Sequence, residues 1–152
     1  MSHQNPRPSY QVFSQSQKKA CEALIAMGKE IDDAGFDKEL SELVKLRVSL
    51  INGCAFCLQL HLNIARGMGI DGRKLDLISV WRDADLFSPR EAAAFAWAEQ
   101  VTLLDGKGIA DHHWNALRAH FSEEEAMQLT VVIGMINTWN RVALSMRFTP
   151  PA

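Results

Sequence analysis

The chain has 152 residues, 47% of them hydrophobic and 22% charged, enough for one domain with its own core. Its formal net charge of −2, with no basic run, excludes the electrostatic footprint of a nucleic-acid binder. No stretch of about 18 uncharged apolar residues is present to span a membrane. Three cysteines behind the polar start MSHQNPRPSYQVF point away from a disulfide-stapled secreted scaffold, toward a reducing, cytoplasmic compartment.

Taken in order, residues 1–13 read as an extended, proline-containing lead-in to a single domain covering 1–152. Residues 14–33 carry helical spacing at Ala20, Leu24, Met27 and Ile31, with Gly35 as the stop. A second helix is expected over 37–50, with Leu40, Leu43, Val44 and Val48 on one side, broken at Asn52-Gly53. A third runs from Cys54 to Met68. Asp71 is placed to cap a fourth, ending near Trp81. In SPRE, Ser88, Pro89 and Glu91 form a capping box with proline at the first helical position, and that helix is expected to stop at Gly106. Asp111 is read as the cap of a short helix to His120, and Ser122 with Glu125 as a second capping box, opening a last helix to about Arg147. No segment alternates with period two, so the expected fold is all-α, a compact domain of about seven helices. The last helix, MQLTVVIGMINTWNRVALSM from Met127, is apolar on nearly every face, as in a helix that is central or shared with a partner subunit.

The chemistry concentrates in INGCAFCLQLH, where Cys54, Cys57 and His61 fall within eight positions. On a helical wheel Cys54 and Cys57 lie about 60° apart, and Cys57 and His61 about 40° apart, so all three share a face. Two thiols three residues apart can reach disulfide range after a modest adjustment of the first turn. The break at Asn52-Gly53 sets the pair at a helix N-terminus, where free N–H groups and the macrodipole favour a thiolate. His61 can relay a proton, and an antiparallel return of the preceding helix brings Glu42 toward the same face as a further proton acceptor. Three readings stand side by side. The thiols are a redox pair; or they are inert core; or Cys54, Cys57 and His61 hold zinc, with Glu42 or water as fourth ligand. Structural zinc sites usually draw a second Cys or His pair from elsewhere, and none exists here. Haem attachment would need histidine where Leu58 stands. Cys21 reads as core. His112-His113 reads as a solvated helix start, Trp139-Asn140-Arg141 as packing and hydrogen bonding, and Trp81, Trp97, Trp114 and Trp139 as core or interface bulk.

The series Glu42, eleven residues, Cys54, two residues, Cys57, three residues, His61 resembles the core motif of the AhpD-like alkylhydroperoxidases, within the carboxymuconolactone decarboxylase superfamily. The segments LSELVKLRVSLINGCAFCLQLHLNIARGMGI, WRDADLFSPREAAAFAWAEQVTLL and INTWNRVALSMRF extend the likeness over nearly the whole chain. The resemblance implies a helical fold assembled as trimers or hexamers, with no metal or organic cofactor. It implies thiol peroxidase or disulfide reductase chemistry on a hydroperoxide or disulfide substrate, with an external dithiol as reductant. By position, Cys57 becomes the peroxidatic nucleophile, Cys54 the resolving thiol, and Glu42 with His61 the proton relay. Cys54, at the helix start, is the thiol expected to meet the incoming reductant. Some peroxidases of the family carry histidine directly before the second cysteine; here it is Phe56, which weakens the peroxidase expectation relative to thiol–disulfide exchange. The competing functions are a lactone decarboxylase-type enzyme of the same superfamily, which needs no cysteine pair, and a non-catalytic oligomeric helical binding protein.

Overall fold

The structure, a computed structural model, describes residues 5–152. Within them lie eight α-helices and one 3-10 turn, and no strand. The helices are α1 (Tyr10–Ser16), α2 (Lys18–Asp33), α3 (Lys38–Asn52), α4 (Ala55–Gly67), α5 (Gly72–Leu77), α6 (Pro89–Thr102), α7 (Asp111–Arg118) and α8 (Glu123–Met146), with the 3-10 turn Ile78–Val80 after α5. The all-α expectation holds, and both capping boxes form as expected: Ser88 and Ser122 each accept from the backbone of Glu91 and Glu125, whose side chains reach back to the cap N–H. Asp71 caps α5 through the Arg73 N–H.

Several boundaries differ from the sequence expectation. Of the lead-in assigned to 1–13, residues 1–4 lie outside the described residues, and residues 10–13 are helical. Ser9 accepts from the Val12 N–H and starts α1, a cap signal that the nearby prolines obscure. Gln17, at φ −109°, ψ 41°, then separates α1 from α2, which gives the additional helix. Asp111 is the first helical residue of α7 and Ala110 the cap, without a side-chain bond; an acidic residue also suits the first turn through the macrodipole. The helix α6 ends at Thr102, short of Gly106, because Leu103 already leaves helical geometry.

The helix α3 lies at the centre, packed against α4, α6 and α8. It buries Leu43, Val44, Leu46 and Val48, and α8 answers with Leu129, Ile133 and Ile136. Such packing supplies the main stabilisation through removal of apolar area from water. Polar groups inside it must find partners. Glu99 of α6 receives Arg47 Nη2 from α3 at 2.9 Å, Arg82 Nη1 at 2.9 Å and Trp81 Nε1 at 3.1 Å. Burial pushes its carboxyl up, but these donors outweigh burial and hold it below the usual range. The C-terminal carbonyls of α8 also have donors: Asn5 Nδ2 bonds those of Met146 and Arg147, and Arg7 Nη1 that of Ser145. This draws the N-terminal segment across the end of α8, so that Tyr10 packs on Phe56 and Phe148 at centroid distances of 5.4 and 5.6 Å.

Candidate active site

The turn between α3 and α4 builds the site. Gly53 adopts the left-handed conformation, φ 70°, ψ 31°, and closes α3 with its N–H on the carbonyls of Leu50 and Ser49. The chain reverses there, and Cys54 becomes the N-cap of α4: its Sγ accepts the Cys57 N–H at 3.3 Å. The helices α3 and α4 then pack together, which returns Glu42 to the α4 face carrying His61. Glu42 Oε2 stands 2.7 Å from His61 Nδ1 and Oε1 stands 2.8 Å from Lys45 Nζ. Burial pushes the Glu42 carboxyl up, yet the bonds and charges of His61 and Lys45 prevail and lower it. An ionised carboxylate only accepts, so Nδ1 of His61 carries the proton and donates, leaving Nε2 for other work.

The two thiols are not equivalent. The neighbouring Cys57 thiol, and then the backbone N–H groups of Cys57 and Phe56, favour the Cys54 anion; against the opposing effect of burial they lower the Cys54 pKa from 9.0 to about 7. Cys57 is raised, first by the neighbouring Cys54 thiol and then by burial, while the Asn140 side chain pulls it the other way. Once one proton has left, the pair holds one proton and one negative charge between two sulfurs.

A cavity of about 670 Å³ opens onto this face, lined by Cys57, His61, Glu42 and Lys45 at its polar end and by Tyr10, Phe56, Leu60, Ile64, Met135 and Trp139 among its apolar walls. Cys57 lines it; Cys54 does not, and is 2% exposed. Both thiols are 2% exposed, and the N-cap position sets the Cys54 sulfur on the Cys57 N–H, so the cavity lining does not support the expectation that Cys54 meets the incoming reductant. The structure thus brings Glu42, His61 and Cys57 to one cavity, with the Cys54 sulfur bonded to the Cys57 N–H. Trp139, assigned to bulk, forms part of the wall. Phe56, in place of histidine, contributes a ring packed against Tyr10 and Phe148 and so an apolar wall instead of a proton donor.

Sequence reasoning missed Lys45, although its spacing of three from Glu42 on a helix predicts a pair. Asn140, read as packing and hydrogen bonding, bonds Asn52 and Ser49 as that reading requires. Cys21 is buried, as expected. The rings of His112 and His113 lie 3.9 Å apart between centroids, closer than a divergence of about 100° between adjacent helical residues suggests. Among the described residues no group of three or more His, Cys, Asp or Glu forms a set able to hold a metal, and no helix is long and apolar enough to cross a membrane.

Comparison with known proteins places these features. Residues 19–100 match the model of the carboxymuconolactone decarboxylase family. The uncharacterized protein YdfG of Bacillus subtilis strain 168 is 35% identical over 123 residues, covering 81% of this chain and 84% of YdfG. The crystal structure of ATU0492 from Agrobacterium tumefaciens, a protein of unknown function provisionally named as an antioxidant defence protein AhpD, superposes with a TM-score of 0.87. It is 37% identical, over 92% of this chain and 96% of that one. The debrominase Bmp8 superposes with a TM-score of 0.80 at 22% identity, over 93% of this chain and 76% of its own, a likeness of fold.

Proposed function

Because the chain belongs to the carboxymuconolactone decarboxylase family, with the all-helical fold of its AhpD-like members, we propose that it is a thiol oxidoreductase that reduces hydroperoxides or disulfides through Cys57 and Cys54. The fold alone does not choose the reaction, since a debrominase shares it. The observation that carries the reading is local: Cys57 lines a cavity beside the Glu42–His61 pair, and the Cys54 sulfur, its pKa lowered, accepts the Cys57 N–H at 3.3 Å.

The proposed cycle follows from the shared proton. When that proton sits on Cys54, the Cys57 thiolate attacks the outer oxygen of a hydroperoxide. An S–O bond forms, the O–O bond breaks, and the leaving alkoxide takes a proton delivered through His61, which Glu42 orients and solvent recharges. Cys57 is then a sulfenic acid. Cys54 attacks its sulfur, the S–S bond forms, and hydroxide leaves with the Cys54 proton as water. An external dithiol next attacks Cys57, the sulfur facing the cavity, and expels Cys54; its second thiol then displaces Cys57 and the donor leaves as a disulfide. A leaving thiol of low pKa leaves fastest, which suits Cys54 to that position. Disulfide substrates enter the same cycle by thiolate attack on sulfur, without the peroxide step. We further take the working form to be a homotrimer or homohexamer in a reducing, cytoplasmic compartment that supplies the dithiol. No organic cofactor or metal enters these steps.

The test is consumption of organic hydroperoxide by the wild type, with a panel of dithiol donors, beside Cys57→Ser. Turnover in the wild type and its loss in the variant is expected. Equal rates in both proteins would remove Cys57 from the reaction. Disulfide reduction without peroxide consumption would retain the reductase half alone.

A further inference from the structure

The polar end of the cavity holds a cation that the proposed cycle leaves unused. Lys45 is 8% exposed, lines the cavity together with Cys57 and His61, and follows Glu42 by one turn of α3. Its Nζ donates to Glu42 Oε1 at 2.8 Å. The other carboxylate oxygen, Oε2, stands 2.7 Å from His61 Nδ1, and Glu42 itself is 6% exposed. One buried carboxylate therefore lies between two basic groups. A buried ion pair adds little net stability, because desolvation of both charges offsets their attraction. Packing does not explain the lysine.

Counting charge shows what Lys45 changes. With Glu42 and His61 alone, a proton added at His61 Nε2 completes a neutral ion pair, and the carboxylate holds that proton on the ring. With Lys45 present the carboxylate is already balanced, and the same proton sets two positive charges against one negative. The other groups on the cavity leave this balance in place. Cys57 adds a negative charge only when ionised, Tyr10 of α1 is neutral as the phenol, and Lys29 and Asp32 of α2 carry opposite charges. Lys29 is also mostly exposed and paired with Asp33, and α8 contributes the uncharged Met135 and Trp139.

We propose that Lys45 tunes the proton relay, its charge balancing Glu42 so that His61 can both take and release a proton at Nε2. A relay must do both, and it works best when neither state is strongly favoured. Glu42 orients the ring through Nδ1, and Lys45 keeps the same carboxylate from trapping the imidazolium. Lys45 acts through Glu42 and is a positioning residue. Its purpose rests on the thiol-oxidoreductase reading, but the charge balance is measurable without turnover.

The test is the pH titration of the His61 ring C–H resonance by proton NMR, assigned as the signal missing from His61→Gln. Wild type is compared with Lys45→Gln, Lys45→Met and Lys45→Arg. Gln keeps a donor for Glu42 and removes the charge, Met removes both, and Arg keeps both. The His61 midpoint should rise by at least about one pH unit in the Gln and Met variants and stay near the wild-type value in Arg. A purely structural lysine predicts shifts that follow side-chain size, with Arg the most disturbed. An unchanged or lower midpoint in Lys45→Gln overturns the assignment, and Lys45→Met decides in the same way if Gln does not fold. A protein inert to peroxides and disulfides whose midpoint still rises keeps the charge balance and loses the oxidoreductase reading. Full turnover with an unmoved midpoint does the reverse.

Discussion

At the residue scale, the site rests on unequal partners for similar groups. Cys54 and Cys57 are both 2% exposed, yet one has its pKa lowered to about 7 by its neighbouring thiol and the N–H groups at the start of α4, and the other is raised by that same neighbour and by burial. Glu42 follows the same logic. Its carboxyl is depressed below 4.5 by His61 and Lys45 despite burial, so its contribution to stability is fully present above about pH 4.5. That contribution is lost as pH falls through the lower, folded value. Glu42→Gln keeps the shape and removes the charge, leaving Lys45 without its counter-ion. Urea unfolding should show a loss of roughly 1–3 kcal/mol at neutral pH, the range for a buried polar group deprived of its partner. The gap to the wild type should close as the pH is taken well below 4.5. A gap independent of pH would mean that Glu42 folds uncharged. The spacing of Glu42, Cys54, Cys57 and His61 was legible in the sequence because all four lie on two consecutive helices, within reach of wheel geometry. The partners of Asn140 were not, since its bonds to Asn52 and Ser49 join residues 88 and 91 positions apart and depend on how α8 crosses α3.

At the element scale, one turn does most of the positioning. Gly53 ends α3 in the left-handed region and hands Cys54 to α4 as its cap. A Cβ at this position would meet nothing within 4 Å, so any cost of Gly53→Ala is conformational. About 1–2 kcal/mol is expected from forcing an L-residue into that region, measured by chemical denaturation. The Cys54 thiolate should titrate higher as the cap loosens. No loss of stability would show that the turn relaxes into another conformation without penalty. The helix boundaries that the sequence displayed well were those marked by paired cap residues, Ser88 with Glu91 and Ser122 with Glu125. Those it displayed poorly, α1 and the start of α7, have a cap hidden among prolines and a cap without a side-chain bond. In both cases contacts decide: α1 is held by its aromatic cluster with Phe56 and Phe148, over a sequence with no apolar stripe of its own.

At the scale of the whole molecule, α8 is both the inner wall of the site and a surface. It buries Leu129, Ile133, Ile136 and Asn140, and it exposes Met127, Val131 and Leu144. Close by in kind, α4 and its C-cap expose Leu60, Ile64 and Met68 at a spacing of four, one apolar stripe. A chain with so many large apolar side chains outside has reason to associate. Sedimentation velocity at micromolar concentration is expected to give a trimer or hexamer, and a single monomeric boundary would contradict it. The sequence announced this surface through the run from Met127, but periodicity could not divide its residues between core and exterior, because both sets are apolar.

The central claim is that Cys57 carries the reactive thiolate and Cys54 resolves it. The most direct measurement is mass spectrometry of Cys54→Ser after one addition of organic hydroperoxide in the presence of dimedone. The expected result is a single adduct on Cys57, formed once and without turnover on added dithiol, while Cys57→Ser yields none. An adduct on Cys54 in the Cys57→Ser protein, with none on Cys57 in its counterpart, would contradict the account and exchange the two roles.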